Sequence, residues 1–349
     1  MYFANLGRLP GQQSMLVFHA LARMGFEGLV FVSPKDPLAS IGYFQDARAE
    51  VDLDYCREVG IPVMRREVGG GATYLDEDQI FYQVIYNKES SRAPARIAEI
   101  YEWFSQAPVE TYREFGINAS FRPVNDIVTS EGKKIAGEGG GDIADSRVFV
   151  GGILMDFDFG TMVKILKVPD EKFRDKVFKT LEENLTTMRR ELGTVPPRED
   201  IKKVLKGNFE KLLGRLEPVE LTEDVIHKMT ELERWFTSDE FLFKKTPRIP
   251  KGVKIREGVE ILYSMYKAKG GLIRTAQEVE NKRIADITIS GDFTMFPREA
   301  LSGLESELKN VERKGKLLKP RIEEFYEKEG IESPGVETED YLKAMEIDE

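Results

Sequence analysis

Helix-like and strand-like segments alternate through the first half of the chain, and this constrains the fold more than any other feature. Gln13–Met24 places Leu16, Val17, Ala20, Leu21 and Met24 at helical spacing and stops at Gly25. Leu29–Ser33 follows as a short apolar strand. Ile41–Phe44 and Val63–Glu67 read as further strands, with a helical Leu53–Glu58 between them. Gln79–Asn87, QIFYQVIYN, is aromatic and β-branched and predicts a strand along its whole length. Ala93–Gln106 carries a helical stripe of Ile97, Ile100, Tyr101 and Phe104. Phe121–Thr129, Lys134–Ala136 and Arg147–Asp156 then read as paired strands, and Phe159 to Phe236 is mainly helical. The basic stretch KKTPRIPK, Lys244–Lys251, is interrupted by two prolines and predicts a linker. Beyond it, Gly258–Tyr266 and Leu272–Glu280 flank Gly270-Gly271 as a hairpin. Arg283–Ser290 adds a third strand, and Pro297–Val311 and Leu317–Lys328 add two helices. The expected organisation is a first domain over 1–245, a linker over 246–251 and a small α+β domain over 252–349.

Composition narrows the function classes. The chain has 349 residues, of which 41% are hydrophobic, so it can build the cores of two domains. Its one cysteine, Cys56, cannot form an internal disulfide and excludes a cysteine-based zinc cluster. The two histidines, His19 and His227, are too few for a His-rich metal site, and both fall in helical patterns with structural or solvent roles expected. A net charge of −10 disfavours nucleic acid as a partner. No segment approaches the roughly 18 apolar residues of a membrane span. MYFANLGRLPGQQ has no basic start followed by an apolar run. A soluble, cytoplasmic protein with no nucleic-acid or membrane partner is expected.

Two segments carry candidate chemistry. In Arg65-Arg66-Glu67-Val68-Gly69-Gly70-Gly71-Ala72-Thr73-Tyr74, two arginines close a strand, three glycines follow, and another strand begins. Glycines leave backbone N–H groups uncovered and free to wrap a phosphate chain, and an arginine at the edge supplies fixed donors. The alternative is a tight turn with surface arginines, but the flanking strands and paired arginines favour a ligand. The segment is neither a P-loop nor a Rossmann fingerprint, because no GxxxxGK[ST] is present and no helix opens on the glycines. The second segment is Asn125-Asp126-Ile127 with Glu131-Gly132-Lys133-Lys134-Ile135-Ala136-Gly137. A lysine on a strand beside small residues can place its ammonium in a cleft and neutralise a developing oxyanion. Asp126 is the candidate Mg2+ ligand. Alone, this segment reads as a hairpin with two solvated lysines. Gly137-Glu138-Gly139-Gly140-Gly141 reads as a mobile loop that could close over a site.

Together with SIGYFQ (Ser40–Gln45), FRPVNDI, KKIAG and VGGILMDFD (Val150–Asp158), the segment GIPVMRREVGGGATYLD (Gly60–Asp76) resembles the biotin/lipoate ligase superfamily, and within it the lipoate–protein ligase family. Order and spacing agree from about residue 10 to residue 170. ERWFTSDEFLFKKTP and KGGLIRTAQEVENKRIADITISGDF resemble that family's C-terminal accessory domain. The resemblance implies an α+β fold, with a mixed β-sheet flanked by helices as in the class II synthetase-like core. It implies that Arg66 contacts nucleotide phosphates, and that Gly69, Gly70, Gly71, Ala72, Thr73 and Tyr74 hold ATP through their backbone. Lys134 would touch both the lipoate carboxylate and the α-phosphate, with Asn125 and Asp126 as the polar pair nearby.

The activity so implied is ATP- and Mg2+-dependent adenylation of lipoate, followed by transfer of the lipoyl group to a lysine. The acceptor would be the lipoyl domain of a 2-oxoacid dehydrogenase E2 or a glycine-cleavage H protein. The accessory domain would rotate between the half-reactions about Thr246–Pro250. Four positions depart from the family: Val68 stands for Ser, Leu75 for His, Val150-Gly151-Gly152 for HG(T/S), and Glu138 for a small residue. They put the acyl specificity in question. The competing readings are an ATP-independent octanoyltransferase, a biotin–protein ligase lacking its GRGR-type loop, and a non-catalytic lipoyl-binding protein. Octanoyltransferases of the superfamily use an acyl-carrier donor and a cysteine nucleophile, resembling C-F where this chain has Ser120-Phe121, and Cys56, read as a partly buried thiol, lies upstream of the glycine turn.

Overall fold

A computed structural model describes residues 1–168, 173–248 and 259–348. The strands of the N-terminal region are β1 (Tyr2–Leu9), β2 (Gly28–Pro34), β3 (Leu38–Ile41), β4 (Val63–Arg65), β5 (Thr73–Leu75), β6 (Gln79–Asn87), β7 (Ala119–Arg122), β8 (Asp126–Thr129), β9 (Lys134–Gly137), β10 (Gly139–Ile143), β11 (Ser146–Leu154) and β12 (Glu217–Pro218). Six of them form the main sheet in the order β10-β11-β6-β2-β1-β12. β12, β1 and β2 run parallel, and β2, β6, β11 and β10 pair antiparallel. The mixed sheet flanked by helices is therefore present.

Side-chain alternation explains why helices cover both faces of this sheet. In β2, Leu29 and Phe31 join Ile80, Tyr82 and Val84 of β6 in one apolar cluster. Val30 and Val32 join Phe81 and Ile85 in the other. Strands that are apolar at both parities must be buried on both sides. Helix Gly11–Arg23 covers one face together with helix Glu223–Phe236, and helices Ile97–Glu114 and Arg198–Leu213 cover the other. No helix among the described residues is long and apolar enough to cross a membrane.

Two small sheets sit beside this frame and carry the candidate chemistry. β4-β3-β5 holds the triglycine turn between β4 and β5, and β7-β8-β9 holds Lys134 at the start of β9. Three sequence expectations are corrected here. Phe121–Thr129 is two antiparallel strands, β7 and β8, because Pro123 cannot donate to a ladder and the chain turns there. The strand expected at Ile41–Phe44 ends at Ile41, since Gly42 packs under the triglycine turn. The glycine-rich stretch expected to be mobile is mostly β10, paired with β11 from Gly139↔Val150 to Ile143↔Ser146. Its glycines serve close packing: an added Cβ would lie 3.2 Å from the Tyr101 hydroxyl at Gly140, and 3.2 Å from the Glu67 carbonyl at Gly141.

In the C-terminal region, β13 (Val259–Ala268), β14 (Gly271–Glu280) and β15 (Arg283–Gly291) make an antiparallel sheet, backed by helices Ala300–Glu307, Gly315–Glu329 and Thr338–Ala344. The last of these helices had no counterpart in the sequence reading. Residues 249–251 of the expected linker lie outside the described residues. This region is packed firmly on the N-terminal region. The Phe44 and Phe293 rings stack with centroids 5.0 Å apart. The Gly291 N–H donates to the Phe44 carbonyl at 2.9 Å, and the buried Lys245 ammonium pairs with Glu305 at 3.0 Å.

Candidate active site

The adjacent arginines that close β4 have different roles. Arg65 is fully buried and donates to the carbonyls of Gly42, Tyr43 and Gln45 at 3.1, 2.7 and 2.7 Å, and to Phe241 and Leu242 at 2.8 and 2.5 Å. It ties SIGYFQ to a distant helix and is structural. Arg66 reaches the cavity described below, but its guanidinium donates to Gly69 and Gly71 of its own turn, both at 2.8 Å, and to Ser40. Burial lowers it to about 10, so it stays charged at neutral pH. The turn is thus shaped by its own arginine and by its neighbours. A Cβ at Gly42 would lie 1.9 Å from the Gly70 carbonyl, and one at Gly69 would lie 2.5 Å from Thr294 Oγ1 of the C-terminal region. Gly70 has φ +92°, a conformation that glycine tolerates best.

His19 and Glu67 hold the entry to the turn. The buried His19 ring bonds the Met15 carbonyl through Nδ1 at 2.8 Å and accepts the Glu67 N–H through Nε2 at 3.1 Å. Burial lowers His19 to about 3, so it is neutral and structural, as expected. The Glu67 carboxylate pairs with Arg23 at 2.8 Å and Arg298 at 3.0 Å. Burial alone would raise its pKa, but the hydrogen-bonded Arg23 and the Arg298 charge prevail and bring it to about 2. His227 is exposed on its helix.

Lys134 Nζ pairs with Asp126 Oδ1 at 2.7 Å, and Arg122 takes Asp126 Oδ2 at 2.8 Å. Burial pushes the Asp126 carboxyl up, but the two cations hold it below its ordinary range. Lys134 is 39% exposed, so its ammonium is open to a substrate. A Cβ at Gly137 would lie 2.7 Å from that ammonium, and the glycine leaves it room. Asn125 Nδ2 donates to the Glu138 carbonyl at 2.6 Å, and the Glu138 N–H donates to the Asn125 carbonyl at 2.8 Å. Asn125 therefore braces the break between β9 and β10. Both Asp126 oxygens already serve cations, and no cluster of three His, Cys, Asp or Glu that could hold a metal occurs among the described residues. This donor set does not fit a resident Mg2+.

One cavity of about 340 Å3 brings these elements together. Arg66, Gly69 to Tyr74, Asn125 and Lys134 all border it, so the two segments singled out in the sequence converge. Asp126 stands behind Lys134 and not on the wall. Most of the lining is apolar, including Met15, Phe18, Leu75, Phe81, Val150 and Phe157. The volume is at the small end of the roughly 300–1,000 Å3 usual for ligand sites.

Sequence reasoning noted Glu138 only as a departure from a pattern. The structure puts it in the cavity wall, 3% exposed, with Oε1 accepting from the Tyr82 hydroxyl at 2.5 Å. Cys56 and Ser120 lie elsewhere. Cys56 is buried in a separate apolar cluster, and burial raises its thiol to about 11. It is fully buried, where a partly buried thiol was expected. Ser120 is exposed on β7 and does not border the cavity.

Residues 16–210 match the family described as lipoyl protein ligase A/B catalytic domain. The octanoyltransferase LipM of Kyrpidia tusciae is 29% identical over 231 residues, covering 60% of this chain and 84% of that protein. A solved bipartite lipoate protein ligase from Thermoplasma acidophilum, studied with its E2 lipoyl domain, has 27% identity and a TM-score of 0.62 over 72% of this chain and 98% of that one. LipL1 of P. falciparum, solved with lipoate, is 16% identical and shares the fold, with a TM-score of 0.70 over 99% of this chain and 97% of that one. These findings bear out the family and fold and correct the activity. Relatives spanning most of the catalytic region are octanoyltransferases, which overturns the expectation of an ATP-dependent adenylating ligase. Ser120, taken as evidence against a transferase, lies outside the cavity and does not decide the matter.

Proposed function

Because the chain belongs to the lipoyl protein ligase A/B catalytic-domain family, we propose that it is a protein acyltransferase. It moves an octanoyl-type acyl group from a carrier thioester to the ε-amine of a lysine, without ATP. The acceptor is a lipoyl-type domain, such as that of a 2-oxoacid dehydrogenase E2 or a glycine-cleavage H protein. The observation that carries this reading is the Lys134 ammonium at the wall of a predominantly apolar cavity. An alkyl chain is favoured by the apolar wall, while its carbonyl carbon remains beside a cation.

The chemistry follows from that placement. The thioester carbonyl oxygen rests against Lys134, and the acceptor amine attacks the carbonyl carbon. Lys134 stabilises the oxyanion that forms, a contribution that is typically about 2.7–4 kcal/mol for one such donor. The C–S bond then breaks and the carrier leaves as a thiol. The only cysteine is Cys56, a buried neutral thiol away from the cavity. Transfer therefore proceeds without a cysteinyl acyl-enzyme, and the acceptor amine attacks the thioester directly.

The test is incubation with octanoyl-loaded acyl carrier protein and a lipoyl domain, with and without ATP, read by mass spectrometry of the acceptor. Octanoylation at equal rates in both arms supports the reading. Modification that appears only when ATP and free acid are supplied refutes it, and an unmodified acceptor in both arms points to a binding protein.

A further inference from the structure

Direct transfer leaves one requirement unmet. A lysine ε-amine is protonated at neutral pH and must lose a proton before it can attack. The cavity wall contains one carboxyl group with no structural use for half of its capacity. Glu138 Oε1 accepts from Tyr82, but Oε2 is buried and has no partner among the described residues. Leaving such an atom unsatisfied costs on the order of 1–3 kcal/mol, more if charged, so a purely structural role does not explain it.

Its surroundings keep that oxygen open. A Cβ at Gly151 would lie 1.9 Å from Oε2 and 2.5 Å from the Tyr82 hydroxyl, and Gly151 borders the cavity. Lys134 and Ala136 of β9 and Glu138, at the break just after it, all border the cavity, so the carboxyl shares a wall with the ammonium proposed to hold the acyl oxygen. This acidic side chain stands where the resembled proteins carry a small residue.

Resting on the acyltransferase reading, we propose that Glu138 is the general base that deprotonates the acceptor lysine, with the Tyr82 hydroxyl orienting it. The proton balance closes with Glu138 and solvent. The Glu138 carboxylate takes one proton from the incoming ammonium, and the amine forms the C–N bond. As the C–S bond breaks, Glu138 returns a proton to the departing thiolate. The second proton lost in forming the amide goes to solvent.

The charged and titratable groups facing Glu138 are Tyr82 on β6, Lys134 on β9, Asp126 on β8, and Tyr101 and Tyr112 on the covering helix. Burial raises the carboxyl to about 8, against the lowering pull of Tyr82 and Lys134. A group titrating there is suited to exchange protons with an amine near neutrality.

The closing experiment measures ATP-free octanoyl transfer against pH for wild type, Glu138→Gln and Glu138→Gly. Wild-type kcat/KM should rise with pH and level off above about 8. Glu138→Gln keeps an acceptor for Tyr82, so a structural role would survive it. The expected result is a loss of roughly 100-fold or more and disappearance of the rising limb. Added formate should restore part of the activity of Glu138→Gly. Infrared difference spectra should also show a protonated carboxyl band that titrates in wild type and is missing from Glu138→Gln. Equal pH profiles in wild type and Glu138→Gln overturn this assignment alone. Absence of ATP-free transfer by wild type overturns the acyltransferase reading and this assignment together.

Discussion

His19 allows the frame of the site to be tested by pH. Its folded pKa is about 3 and its unfolded value about 6.5. The stabilisation it gives is therefore fully present above pH 6.5 and is lost as pH falls toward 3, because the unfolded chain takes up a proton that the folded chain refuses. Once that difference is a full proton, the slope is about 1.4 kcal/mol per pH unit. Between pH 6 and pH 5 the loss integrates to about 1.2 kcal/mol. Glu67 does not confuse this window, because its shift from 4.5 to about 2 acts only at lower pH. The perturbation is His19→Gln, whose amide can meet both the Met15 carbonyl and the Glu67 N–H but does not titrate. Urea unfolding of both proteins at pH 6 and pH 5 is the assay. Wild type should lose about 1.2 kcal/mol more than the variant over that step. Equal losses, or a larger loss in the variant, would refute the claim that His19 is held neutral to anchor the glycine turn.

Other outcomes follow from the same geometry. Lys134→Met should lower kcat for acyl transfer by about 100- to 1,000-fold with an unchanged circular dichroism spectrum, given its place opposite the developing charge. Gly42→Ala puts a methyl 1.9 Å from the Gly70 carbonyl and should cost about 1–3 kcal/mol in urea unfolding while weakening acyl binding. Phe293→Ala removes the ring stacked on Phe44 and should cost about 3–5 kcal/mol. Calorimetry should show it lowering the stability of the N-terminal region as well as of the C-terminal region.

The residues differ in how much of this they disclosed in advance. β6 was readable end to end because its aromatic and β-branched run excludes a helix. The convergence of Gly69–Tyr74 with Lys134 was also foreseeable, since both segments pair small residues with a cation beside a strand. Arg65 and Arg66 could not be told apart, because neighbouring positions on a strand face opposite ways and only the fold decides which faces solvent, core or cavity. Gly139–Gly141 reads as flexible when composition is considered alone. In the folded chain the same residues are a ladder strand pressed against Tyr101 and Glu67. Glu138 registered only as an anomaly, since the burial that alters its acidity comes from Tyr82 and Gly151, distant in sequence. The motifs led to an expectation of adenylation, which the octanoyltransferase relatives overturn.

Thr294 occupies the space where a side chain at Gly69 would be. Part of the glycine bend that lines the pocket is therefore moulded by a residue more than two hundred positions away, in the C-terminal region. Chimeras that exchange this tail among homologues would inherit a foreign roof over an unchanged floor. They should work only when position 69 and its ceiling are transplanted as a matched pair, so the two modules are expected to drift through evolution in step.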